Sequence, residues 1–376
     1  MQQKGSPTAL GTENVWRLLL QYAIPSVIAM TASSLYNITD SIFIGKGVGA
    51  LAISGLAITF PFMNFAAALG AMVGVGAATL MSLRLGQKDY DSANHILGNV
   101  FMLNITLGIA FSVIMLAFLD PILYFFGASA DTLPYAHDYM VVILLGNVIT
   151  HMYMGLNALL RATGRPRVSM TTTILAVIIN AILTPIFIYV FDWGIKGAAW
   201  ATVIAQAIML VWQIKIFRDP TSFIQLKRSS LRFRKKIIID SLSIGMSPFL
   251  MNATASVVVI VINQSLIRHG GDLAVGAYGI INRVAFFFPM IVLGLTQGMQ
   301  PIVGYNYGAR NGERVNKALM YTILLATGVT TLGFIMGEFI PRQVASIFTN
   351  DGELIDLVVP GLRTVVTFFP IIGFQM

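Results

Sequence analysis

The chain has 376 residues, 56% hydrophobic and only 11% charged, with a mean hydropathy of +0.78. A soluble domain carries about 25% charged residues, so an ordinary cytosolic enzyme is excluded, as is disorder, which needs low hydrophobicity and high charge. The absence of cysteine removes disulfides, zinc–thiolate centres, iron–sulfur clusters and thiol nucleophiles together.

A membrane-crossing helix needs about 20 mainly apolar residues. Ten such stretches follow in chain order, at 18–44, 50–82, 94–119, 139–160, 169–191, 197–217, 237–267, 275–305, 315–340 and 357–376. Their length and lack of alternation favour helix over strand. The first is too long, and too weakly apolar at Tyr36–Asp40, for a cleaved signal peptide. The sequence therefore predicts an all-α polytopic membrane protein.

The net charge of +8 follows the same plan. Eighteen Lys and Arg lie in the N-terminus and alternate loops, eight of them within 215–236, whereas the opposite loops hold only Lys46, Lys196, Arg268 and Arg342. This asymmetry predicts a multi-pass protein of the cell membrane with a cytoplasmic N-terminus. The charge is then orientation, and no nucleic-acid partner is implied.

The run Gln225–Lys236 (QLKRSSLRFRKK) is the least apolar stretch and divides the chain. It gives a six-helix N-terminal unit at 1–218, a basic cytoplasmic linker at 219–236 and a unit of helices seven to ten at 237–376. The linker reads as a solvated segment, with anionic lipid binding as the alternative. The two units resemble each other. Pro25 matches Pro248, and GVGAATLMSLRLGQKDYDSAN (74–94) matches TQGMQPIVGYNYGARNGERVN (296–316) at an offset of 222, with Gly76/Gly298, Gly86/Gly308 and Asn94/Asn316 in register. Six crossings return the chain to its starting side, so the expected fold is two six-helix lobes related by a pseudo-two-fold along the membrane normal. The repeat predicts two more helices than the chain holds, so the second lobe reads as truncated in its tenth helix.

Polar groups inside spans are costly and mark function. Asp40 lies in LYNITDSIFIG, six residues before Lys46, with Tyr36 and Asn37 on its face at i−4 and i−3. Tyr139, Asn180, Thr184 and Thr202 fall at a similar depth in helices four, five and six. A buried carboxylate among amide, hydroxyl and phenol groups can bind a proton or hold Na⁺. The alternative is an Asp near the interface that caps its neighbours. The second unit offers no equivalent, since Asn263 stands where the repeat puts Asp40.

The four histidines show no ligand spacing, and no metal site is expected at them. No GxxxxGK[ST], HExxH or GxSxG is present, so neither an ATP motor, a cofactor nor an enzyme is implied. Nineteen Met and 24 Phe suit an adaptable cavity for lipophilic cations, although most of them read as packing.

Several blocks resemble the multidrug and toxic compound extrusion (MATE) family. They are IPSVIAM with YNITDSIFIG, LRATGRPR (160–167), NAILTPIFIYVFDWGIKGAAWATVIAQ (180–206) and INRVAFFFPMIVLGLTQGMQPIVGYNYGAR (281–310). The resemblance implies two six-helix lobes around a cavity that alternates sides. It implies H⁺- or Na⁺-coupled export of small organic cations and drugs by a monomer within the lipid bilayer, without an ATPase subunit. It also implies a cation site at Asp40, Asn180 and Thr202, with Tyr36, Asn37, Tyr139 and Asn157 lining the cavity. Asn157 is too deep to have been gathered with the others by depth. Related transporters often carry Asp where Thr184 stands, so weaker Na⁺ binding or a preference for protons is implied. Ser256 replaces an acidic residue of one branch, which argues against a sodium site in the second lobe. The alternative reading is a lipid-linked oligosaccharide flippase, whose polyanionic head group calls for several basic residues in the cavity.

Overall fold

The structure, a computed structural model, describes residues 8–347 and 352–375; the side chains at 35, 37, 38 and 50 and at several positions between 255 and 283 are not among those described. No strand occurs among the described residues. The first half comprises α1 (Ala9–Thr12), α2 (Val15–Gly47), α3 (Ala50–Gly86), α4 (Tyr90–Ala117), α5 (Leu119–Phe125), α6 (Leu133–Leu145), α7 (Asn147–Ala162), α8 (Pro166–Pro185) and α9 (Gly194–Arg218). The second comprises α10 (Lys235–Gly308), α11 (Gly312–Phe339), α12 (Pro341–Ser346), α13 (Gly352–Val366) and α14 (Phe369–Gln375). Among the described residues nine helices are long and apolar enough to cross a membrane, ten if the bent pair α6–α7 is one span. Their outward faces carry exposed Ile109, Val113 and Ile114 on α4 and Met320, Leu324 and Leu332 on α11, as lipid-facing surfaces do.

The fourth expected helix is not straight. α6 and α7 meet at Gly146 with a bend of 56°. Gly146 lies against Val203 of α9, where a Cβ would collide with the valine side chain. Beside it Ser112 Oγ donates to the Leu144 carbonyl (2.7 Å) and Asn147 Nδ2 to the Gly108 carbonyl (3.4 Å). Close approach and side-chain bonds to the backbone hold the bend. α8 is irregular too, because Pro185 supplies no N–H and the chain continues as a π-helix over Ile186–Val190.

Helical backbone runs unbroken through α10 for 74 residues, about 110 Å if straight. It is not straight. Gly76 of α3 lies against Ser241, and Ser82, less than two turns along α3, lies against Gly304. The chain therefore reverses between its two apolar spans, Lys235–Thr254 and Ile280–Gly308. Sequence patterning gave two helices here, at 237–267 and 275–305.

The two halves repeat one another locally. α4 and α11 each span 28 residues, and Tyr90 and Ala117 precede Gly312 and Phe339 by the same 222. Lys88 (φ 61°) and Arg310 (φ 58°) share the left-handed conformation just before them. Asp89 and Asn311 then cap the two helices by accepting the Ser92 and Arg314 N–H groups. Where the halves meet, the contacts are reciprocal: Gly86 lies against the Tyr305 carbonyl and Gly308 against the Leu83 carbonyl. Leu83 and Tyr305 are themselves 222 apart. Small residues let the backbones approach without a hydrophobic drive from water.

The linker is not simply solvated. Asn94 Oδ1 accepts the Gln225 N–H (2.8 Å), Asn99 Oδ1 accepts the Arg234 N–H (2.9 Å), and Asn99 Nδ2 donates to the Arg232 carbonyl (3.0 Å). These bonds strap it to the first turns of α4.

Candidate functional site

Four elements bring the polar residues of the first half together. Asn14 starts α2 by accepting the Arg17 N–H, and the helix carries Tyr36 and Asp40 toward its Lys46 end. α8 packs beside it and presents Asn180 and Thr184 one turn apart, the latter just before the Pro185 irregularity. α9 supplies Thr202 and α6 supplies Tyr139.

The side chains form one chain of hydrogen bonds. Thr184 Oγ1 lies 3.2 Å from Asp40 Oδ1 and 3.3 Å from Asn180 Oδ1. Asn180 Nδ2 donates to Thr202 Oγ1 at 3.1 Å. Thr202 gives its own hydrogen to the Ala198 carbonyl (3.1 Å), so its oxygen accepts from Tyr36 Oη at 2.6 Å. Tyr139 is buried within electrostatic reach of Tyr36 and Asp40. Asp40 is only 5% exposed and Thr184 is fully buried. None of the ion pairs among the described residues includes Asp40.

A carboxylate buried without a cation costs several kcal/mol unless it takes up a proton or a metal ion. The available donors suit either. Asp40, Asn180 Oδ1, Thr184 Oγ1, Thr202 Oγ1 and Tyr36 Oη are all oxygen atoms, which hard cations prefer. No group of three or more His, Asp or Glu residues that could hold a metal ion occurs among the described residues.

Six of the expected residues thus have described side chains in one cluster. Asn37 lies on α2, but its side chain is outside the described residues, as are those of Ser256 and Asn263. Asn157 lies apart from this cluster. It faces the other end of α8, where Asn157 Nδ2 donates to Thr172 (3.0 Å) and Thr173 (3.1 Å) and Arg161 Nη1 donates to Asn157 Oδ1 (2.7 Å). Ser169 Oγ also donates to Asn157 Oδ1, and Arg161 Nη1 reaches Ser169 Oγ (3.1 Å). Thr172 precedes Asn180 by eight residues, about 12 Å along the helix, which separates the two clusters. The resemblance implies a place for Asn157 on the wall of the nearby cavity, and its depth sets it apart from the cation site itself. The charge asymmetry counts Arg161 among the loop cations, whereas it sits in the last turn of α7, and its i+4 spacing from Asn157 signals the pair.

A profile of the MatE family matches residues 25–186 and 248–376. The chain belongs to the MatE family. Among its MatE relatives, the multidrug export protein MepA of Staphylococcus aureus (strain MSSA476) is 28% identical over 354 residues, 94% of this chain and 78% of MepA. MepA of Staphylococcus saprophyticus is 27% identical over 357 residues, with the same coverage. The fold is similar to the outward-facing conformation of a multidrug resistance MATE family transporter, with a TM-score of 0.91, 25% identity, and coverage of 100% of this chain and 83% of that one. It is as similar to a MOP superfamily transporter from Pyrococcus furiosus, again with a TM-score of 0.91 and 25% identity over 100% of this chain and 83% of that one.

Proposed function

We propose that the chain is a secondary transporter that exports small organic cations, drugs among them, in exchange for H⁺ or Na⁺, with Asp40 as the coupling site. The observation that carries this reading is the buried carboxylate with no cation partner among the described residues, held at one end of the Thr184–Asn180–Thr202–Tyr36 chain. The names of its relatives supply the substrate class.

The hydrogen bonds suggest how an ion would be felt. Thr184 has a single hydroxyl hydrogen and two acceptors in reach, Asp40 and Asn180. An ionised Asp40 takes that hydrogen. A proton arriving on Asp40 makes the acid a donor to Thr184, whose hydrogen then turns to Asn180 Oδ1. A sodium ion would instead draw Asp40, Asn180 Oδ1 and Thr184 Oγ1 inward as ligands. Either event changes the bonding between α2 and α8, the two helices that would repack as access alternates. The alternation, the cell-membrane location, a cytoplasmic N-terminus and a monomeric state complete the proposal. A flippase finds less support, because no Lys or Arg among the described residues hydrogen-bonds to the cluster.

The test is efflux of ethidium from proteoliposomes under an imposed pH or Na⁺ gradient. Efflux driven by one gradient in the wild type and lost in Asp40→Asn supports the proposal. A mutant with full gradient-driven efflux removes Asp40 from it.

A further inference from the structure

A cavity of about 530 Å³ opens at the Lys46 end of the same four elements, the end that the charge asymmetry places outside. Tyr135 and Asp138 reach it from α6, Asp192 and Trp193 from the turn after the π-helix, and Lys196 and Trp200 from α9. α6 continues to Tyr139 one turn further on, the π-helix leads back to Thr184, and α9 leads to Thr202. The cavity is therefore a vestibule built by the scaffold of the buried cluster.

Its chemistry is specific. Trp193 joins a cluster of three rings, its centroid 4.9 Å from Phe187 and 5.6 Å from Phe191, with those two 5.8 Å apart. Asp138 is neutralised by Lys196 at 3.1 Å. Asp192 makes no ion pair among the described residues and is fixed at φ 53°, a conformation that non-glycine residues rarely adopt. Aromatic anchors at a membrane interface would account for the rings alone. They do not account for an unpaired carboxylate in the same cavity. Inorganic cations are held by oxygen cages, whereas ring faces beside one negative charge are the recognition chemistry of organic cations.

We propose that this vestibule is a second binding site, for aromatic organic cations, separate from the Asp40 cluster. It rests on the export reading for its role as a docking point at the outer mouth, but the binding itself does not require transport. Asp192 supplies the charge and Trp193 and Trp200 the ring faces.

The test uses the whole chain in lipid nanodiscs with Trp16→Phe and Trp212→Phe, which leaves Trp193 and Trp200 as the indoles. N-benzylpyridinium, a cation that quenches indole on contact, is titrated against its uncharged benzylpyridine analogue. Saturable quenching by the cation alone is expected. Asp192→Asn, which tolerates the left-handed backbone, should weaken it about three- to fivefold, and Asp40→Asn should leave it unchanged. Equal quenching by the uncharged analogue, or no effect of Asp192→Asn, would reduce the rings to interface anchors and overturn the site. Loss of quenching with Asp40→Asn would place the cation in the inner cluster instead. Ethidium efflux on the same preparation separates the two proposals. Quenching without efflux removes transport and keeps the site, whereas efflux without saturable quenching does the reverse.

Discussion

Two buried polar clusters lie along α8, and they are built on opposite principles. At one end Arg161 Nη1 is bonded to Asn157 Oδ1 and Ser169 Oγ, and the Asn157 amide is bonded to Thr172 and Thr173. These acceptors are fixed, so the charge is held by a closed set of dipoles. At the other end the charge is Asp40, which among the described residues receives one hydrogen bond, from a hydroxyl that has a second acceptor in reach. The first arrangement has one satisfied state; the second has at least two. A cluster with two states can register an ion, whereas a cluster with one can only brace the corner between α7 and α8. Burial alone does not distinguish structure from function here. The number of ways the hydrogens can be placed does.

The largest expected effect breaks the comparison at Asp40. Asp40→Asn keeps the shape and the acceptor for Thr184 but removes the titratable, ion-binding charge. Gradient-driven efflux should fall to that of vesicles without protein. The melting temperature should stay level or rise, because a buried charge without a cation has been removed. A mutant that instead unfolds would show that Asp40 is structural, and the thermal melt decides it.

Arg161→Met should do the opposite. The apolar stem is retained while Asn157 Oδ1 and Ser169 Oγ lose a charged donor, and hydrogen bonds to charged groups are worth about 1.5–3 kcal/mol. Stability in a denaturation series should drop by about that amount, with efflux per folded molecule retained. If efflux vanished while the melt was unchanged, Arg161 would belong to the transport machinery and the contrast between the clusters would collapse.

Depth along the helices was enough to collect Tyr36, Asp40, Tyr139, Asn180, Thr184 and Thr202, because helix rise is constant and span ends are marked by Lys46, Asp192 and Lys196. The repeat was equally legible, since the Gly86/Gly308 register is a backbone requirement at the contact between the halves. Other features depend on contacts that sequence spacing does not encode. The bend at Gly146 comes from Val203 on a different helix, and Ser169, the second partner of Arg161, comes across a tight turn from α8. The vestibule was missed because Tyr135, Asp192 and Trp200 are far apart in the chain and each taken singly reads as an ordinary interfacial residue.

Smaller effects sharpen the ranking within the Asp40 cluster. Thr184→Val removes the hydroxyl that connects Asp40 to Asn180, the one hydrogen with two destinations. Losing a bond to a charged group is worth about 1.5 kcal/mol or more, so the ion concentration that half-saturates efflux should shift by about tenfold. Tyr36→Phe removes only a donor to Thr202, whose oxygen still accepts from Asn180 at 3.1 Å. Hydrogen bonds between membrane helices average about 0.6 kcal/mol, so its shift should be about threefold. The order matters more than the sizes. If Tyr36→Phe outweighed Thr184→Val in a titration of the driving ion, the ion would be sensed at the phenol end of the chain. The two-state hydroxyl at Thr184 would then be a bystander.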